Sequence, residues 1–147
     1  MYKEEFAAMA NAATVKLSLL KKNPLGYFLL SMLAGAYIGF GILLIFTIGG
    51  LLNGNPATKL VMGLSFGVAL SLVVIAGGEL FTGNTMVMSS GVMEGKVSLA
   101  DTIKLWVVCW LGNLAGSMLL ALLFFASGLQ TEAVATFIAK GALAKMS

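Results

Sequence analysis

One apolar stretch in this chain is too long to be a simple membrane span. The 29 residues from Leu60 to Met88 carry a single charged side chain, Glu79. As one straight helix, at about 1.5 Å per residue, they would overrun a hydrocarbon core roughly 30 Å thick. The stretch is interrupted by Gly77-Gly78-Glu79-Leu80-Phe81-Thr82-Gly83-Asn84, which places three glycines, a carboxylate, a hydroxyl and an amide in an otherwise apolar run. Glycine permits the backbone angles that end a helix, and Glu79, Thr82 and Asn84 offer partners to the backbone groups so freed. Non-helical backbone at membrane depth is tolerated only where it is buried in protein or lines a water-filled cavity. The break near residues 77–84 therefore predicts a pathway or a buried joint.

Two further stretches, Leu25 to Leu52 and Leu105 to Leu129, are free of Lys and Arg and long enough to cross a bilayer. The chain is 59% hydrophobic and 10% charged, where a soluble domain is about 25% charged. These features predict an all-α integral membrane protein: one transmembrane domain over residues 1–147, with spans at about 25–52, 60–88 and 105–129. The first 22 residues lack the basic start and continuous apolar core of a signal peptide. Phe6, Met9, Ala10, Ala13, Leu17 and Leu20 recur at helical spacing, which predicts an amphipathic helix along the membrane surface. Asn23-Pro24 opens the first span, and Asn53-Gly54-Asn55-Pro56 makes a turn after it. Ser98 and Asp101 outline a helix-start box before the third span.

Lys3, Lys16, Lys21 and Lys22 precede the first span, Lys59 alone lies in the first loop, and Lys96 and Lys104 lie in the second. Because positive charge is retained in the cytoplasm, the N-terminus and second loop are expected inside, in a multi-pass protein of the cytoplasmic membrane. The net charge of +3 comes from scattered lysines with no Arg, and no solvated basic surface for nucleic acid can be built from them. Cys109 is the single cysteine and there is no His, so no catalytic constellation, metal site or cofactor site is expected, and the chain does not read as an enzyme. Each span carries a glycine pair at four-residue spacing: Gly35 and Gly39, Gly63 and Gly67, Gly112 and Gly116. In lipid such pairs let helix backbones pack closely.

A helix restarting after the break presents unpaired N–H groups and the positive end of its dipole, a setting suited to an anion. An ionised Glu79 in a pore would repel that anion, so Glu79 reads as structural support. Thr82 is short, uncharged, and both donor and acceptor, which suits a gate; a hydroxyl bonded back to its own helix is the equal alternative. Leu80 and Phe81 beside it offer an apolar constriction or ordinary core packing.

Gly78-Glu79-Leu80-Phe81-Thr82-Gly83-Asn84 resembles the acidic-Leu-Phe-Thr loop of the formate/nitrite transporter family, whose members conduct formate, nitrite or hydrosulfide. Asn23-Pro24-Leu25-Gly26, Ala34-Gly35-Ala36-Tyr37 and Trp110-Leu111-Gly112-Asn113-Leu114 resemble its first and third spans, so the likeness covers nearly the whole chain. The resemblance implies an aquaporin-like bundle of two inverted three-helix repeats, in a homopentamer with one pore per protomer. It implies a channel or transporter for small monovalent anions, with protons as a candidate co-substrate and membrane lipid around it. Thr82 then matches the loop threonine, Leu80 a constriction residue, Phe66 and Leu70 further pore-lining positions, and Lys145 a vestibule lysine that attracts the anion. Gly78, Glu79, Gly83 and Asn84 support the loop. Family members have six spans, with the pore histidine on the fifth; this sequence reads as one repeat, either cut after the lysine or completed by association of half-length chains. The alternative function is a non-conducting membrane assembly subunit in which the break seats a partner helix.

Overall fold

A computed structural model describes residues 2–146, and these form six α-helices: α1 (Tyr2–Lys22), α2 (Pro24–Leu51), α3 (Thr58–Ala76), α4 (Phe81–Met93), α5 (Leu99–Ala126) and α6 (Glu132–Met146). Three of them, α2, α3 and α5, are long and apolar enough to cross a membrane. Their number agrees with the three spans expected, and the stretch 60–88 is divided between α3 and α4.

Helix ends follow local chemistry. Glu4 and Glu5 occupy the first turn of α1, and Lys21 and Lys22 its last, each complementing the helix dipole. The Gly26 N–H donates to Asn23 Oδ1 at 2.9 Å, capping α2, with Pro24 as its first residue. The Asp101 N–H donates to Ser98 Oγ at 3.1 Å, so the outlined start box caps α5. The break is narrower than the sequence predicts: only residues 77–80 leave the helical path, and Gly83 and Asn84 lie within α4. Residues beyond the third span, read only as a tail, form α6.

The described residues group into two compact units. One combines the stretch through Gly35 with Gly77–Gly116; the other combines Ala36–Ala76 with the stretch from Ser117 onward. In the first unit, Ala13, Leu17 and Leu20 of α1 form a buried cluster with Tyr27, Met88, Val97, Leu105 and Cys109. This revises the surface-lying reading of α1, because Ala10, Ala13, Leu17 and Leu20 turn into protein. Gly91 of α4 sits so close to α1 that an added Cβ would come within 2.5 Å of Ala13 Cβ. In the same unit, α2 and α5 cross with backbones in contact. A Cβ at Gly35 would strike the Asn113 carbonyl, and one at Gly116 the Met32 carbonyl.

In the second unit, Gly39 faces Ser117 and Leu120, Gly50 faces Val134, and Phe46 meets Phe137 edge-on at 6.0 Å. The third glycine pair behaves differently. A Cβ at Gly63 or Gly67 would meet nothing within 4 Å, so two of the three pairs pack as expected and the α3 pair lies open among the described residues.

Candidate functional site

The site is the four-residue interruption between α3 and α4, and its geometry belongs to the first unit. Gly77 turns the chain with φ +80°, a left-handed conformation that costs a side-chain-bearing residue about 1–2 kcal/mol. Gly78 then passes so close to α2 that a Cβ there would lie 3.0 Å from Ala34 Cβ. The Glu79 N–H donates to the Leu30 carbonyl of α2 at 3.2 Å, and Leu80, extended at φ −87° and ψ 129°, leads into α4.

Every polar group of Glu79 is engaged. Its carboxylate accepts from Lys16 Nζ at 2.6 and 2.8 Å, a forked ion pair between residues 63 apart in sequence. Asn84 Nδ2 lies 2.9 Å from the same carboxylate, 2.8 Å from the Tyr27 hydroxyl and 3.3 Å from Cys109 Sγ. The Glu79 carbonyl accepts from Asn113 Nδ2 at 2.9 Å and from Cys109 Sγ at 3.1 Å. The Lys16 and Glu79 side chains keep 24% and 13% of their exposure, so the pair is largely withdrawn from water. There a lone charge would be costly while a paired one is tolerated.

The first turn of α4 lacks a local cap, because Leu80 at the N-cap position has no side-chain acceptor. Instead the Phe81 N–H donates to Asn113 Oδ1 of α5 at 2.9 Å. Trp106 of α5 donates its indole N–H to the Asn84 carbonyl at 3.2 Å. Thr82 and Gly83, the next two residues, are exposed on this turn. The Thr82 carbonyl accepts from the Thr85 hydroxyl at 2.7 Å.

The residues singled out from the sequence thus divide. Gly78, Glu79, Leu80, Phe81, Thr82, Gly83 and Asn84 come together at one place, with Asn84 buried, Leu80 and Phe81 half-buried, and Thr82 and Gly83 exposed. Phe66 and Leu70 lie on α3 and Lys145 on α6, all in the second unit; Phe66 is half-buried and the other two are exposed. The sequence reading gave no part to Lys16, Tyr27, Cys109 or Asn113. Lys16 carried a usable signal: its spacing from Ala13, Leu17 and Leu20 places it beside the apolar face of α1.

A family profile described as Formate/nitrite transporter matches residues 3–147. The chain belongs to the formate/nitrite transporter family. It is 51% identical over 116 residues to the nitrite transporter NirC of Salmonella typhimurium, covering 78% of this chain and 42% of that protein. It is 46% identical over 131 residues to a probable formate transporter of Methanothermobacter thermautotrophicus, covering 85% and 48% respectively. The formate channel FocA of Haemophilus influenzae shares 35% over 120 residues, 80% of this chain and 41% of that one. Among solved structures, an FNT family ion channel superposes with a TM-score of 0.83 at 44% identity, over 87% of this chain and 51% of its own. The chain thus spans less than half the length of the curated relatives it matches. With three apolar spanning helices and this family membership, it is a multi-pass membrane protein.

Proposed function

We propose that the protein forms a channel for small monovalent anions, with formate, nitrite and hydrosulfide as the substrate class, crossing with or without a proton. The observation that carries this reading is the restart of the helix at Phe81, in a chain of this family. Its first turn offers Thr82 to a ligand, while the nearby carboxylate of Glu79 is neutralised by Lys16. The positive end of a helix dipole favours an anion, and an ion-paired Glu79 does not repel one as a free carboxylate would.

In this reading Thr82 meets the anion and Leu80 and Phe81 narrow the path. Phe66 and Leu70 extend the apolar lining, and Lys145 concentrates the anion at the entrance. Gly78, Glu79, Gly83 and Asn84 hold the loop in shape. The three-span repeat pairs with a second repeat to close the pore. The assembly is a homopentamer in the cytoplasmic membrane, with the N-terminus inside.

Flux of formate, nitrite and hydrosulfide into lipid vesicles bearing the assembled protein tests the proposal directly. Saturable anion flux, reduced at least tenfold by Thr82→Val, is the expected result. An assembled protein that leaves all three gradients intact would overturn it.

A further inference from the structure

We infer that Asn113 is a positioning residue for the gate, a cap supplied in trans that fixes where Leu80, Phe81 and Thr82 stand. The inference rests on the channel reading above and assigns a role to a side chain on a different helix.

A helix that starts at membrane depth has orphan N–H groups and no water to satisfy them. The usual remedy is a Ser, Thr, Asp or Asn at the N-cap. Here that position is Leu80, which supplies no cap bond. Asn113 substitutes from α5, 32 residues away, by accepting from the Phe81 N–H at 2.9 Å. Its amide nitrogen simultaneously donates to the Glu79 carbonyl at 2.9 Å and to the Ser31 carbonyl of α2 at 2.8 Å. One carboxamide therefore joins α2, both sides of Leu80 and α5. An amide is the side chain suited to this work, since it has one oxygen to accept and two N–H groups to donate.

The position of that amide is itself fixed. The Asn113 carbonyl lies against Gly35 of α2, where any Cβ would collide with it. The clamp is thus mounted on the backbone crossing of two long helices, and a side chain so anchored has little freedom to drift. A local cap at position 80 would require a polar residue where the half-buried apolar Leu80 now stands. Capping from α5 keeps that position apolar, so a hydrophobic constriction and a satisfied helix start occupy the same turn.

Asn113→Asp and Asn113→Leu separate positioning from mere packing. The aspartate keeps the acceptor for Phe81 but, when ionised, loses both donors and faces two carbonyl oxygens; protonation returns one donor. The leucine removes all three bonds at similar volume. In vesicles, Asn113→Leu is expected to lower formate flux at least tenfold. Asn113→Asp is expected to lower it near neutral pH, with the ratio of variant to unmodified flux rising several-fold as pH falls to about 5.

A flux-independent reading comes from hydrogen exchange in detergent. Asn113→Leu should speed exchange at Phe81 at least tenfold while amides in the middle of α2 and α5 keep their protection. An Asn113→Leu protein that conducts within twofold of the unmodified one, a flat Asn113→Asp ratio across pH, or unchanged exchange at Phe81 would overturn the inference. Absence of flux in the unmodified protein would instead overturn the channel reading, and the Phe81 exchange would still decide the role of Asn113.

Discussion

The chain interrupts its helices twice in ways that invite comparison: at residues 52–57, between α2 and α3, and at residues 77–80, between α3 and α4. The first turn closes on itself. The Asn55 N–H donates to the Leu52 carbonyl at 2.9 Å, the Ala57 N–H to Asn55 Oδ1 at 2.9 Å, and the Thr58 N–H to the Asn55 carbonyl at 3.1 Å. Every partner lies within a few residues, and most of the turn is exposed. The second break takes its partners from Lys16, Leu30, Cys109 and Asn113, which lie 30 to 63 residues away in the sequence. Both turns have a left-handed glycine, Gly54 at φ +85° and Gly77 at φ +80°. What separates them is solvent. Water can finish the hydrogen bonding of an exposed turn, whereas a break at membrane depth, as the proposed channel requires, must be completed by other helices.

The largest test of that contrast is Lys16→Met. It strands the Glu79 carboxylate in a mostly buried position and should cost about 3 kcal/mol of unfolding free energy, at the low end for breaking a buried pair. Unfolding in mixed micelles measures this, and Lys16→Met with Glu79→Gln should regain most of the loss. A double variant no more stable than the single would show that the charge pairing is not what the break depends on.

Asn84→Leu comes next. Asn84 is 1% exposed, and its loss removes the amide donor to the Tyr27 hydroxyl and one of the two donors to Glu79 Oε2, leaving Lys16 as the other, for an expected cost of about 2 kcal/mol. The same micelle unfolding series reads it; a change under half that size would mean that the surrounding helices re-satisfy these groups.

Gly77→Ala and Gly54→Ala should each cost about 1 kcal/mol through backbone strain alone, since an added Cβ meets nothing within 4 Å at either site. Equal costs would locate the difference between the two turns in their side-chain ties. A much larger cost at Gly77 would instead mean that the backbone, too, is held more tightly at depth.

The smallest effect is expected from Asn55→Ala, which removes one exposed hydrogen bond and should cost no more than about 1 kcal/mol. Thermal unfolding of this variant beside Asn84→Leu gives the ratio of an exposed amide to a buried one. A ratio near one would break the comparison.

The sequence by itself determined the existence and order of the membrane helices, because apolar length against bilayer thickness is a one-dimensional quantity. It also determined the ends that are capped by near neighbours, at Asn23, Asn55 and Ser98, and the presence of a break at the Gly77-Gly78-Glu79 run. It raises the expectation that Glu79 supports the loop, since an unpaired carboxylate repels an anion. Tertiary structure alone decided which groups that carboxylate meets. Spacing places Lys16 at the border of the apolar face of α1, but only the packing of α1 against α4 brings it to Glu79. Asn113 sits among apolar residues in the third span with no local sign of its function as a cap for α4.

The glycine pairs divide in the same manner. All three satisfy the same spacing rule, but the pairs on α2 and α5 meet opposing chain, while Gly63 and Gly67 face open space. Spacing along one helix states that a close approach is allowed. Which backbone accepts the invitation depends on where the other helices are, and that is fixed by the sum of contacts across the bundle, which no local pattern encodes.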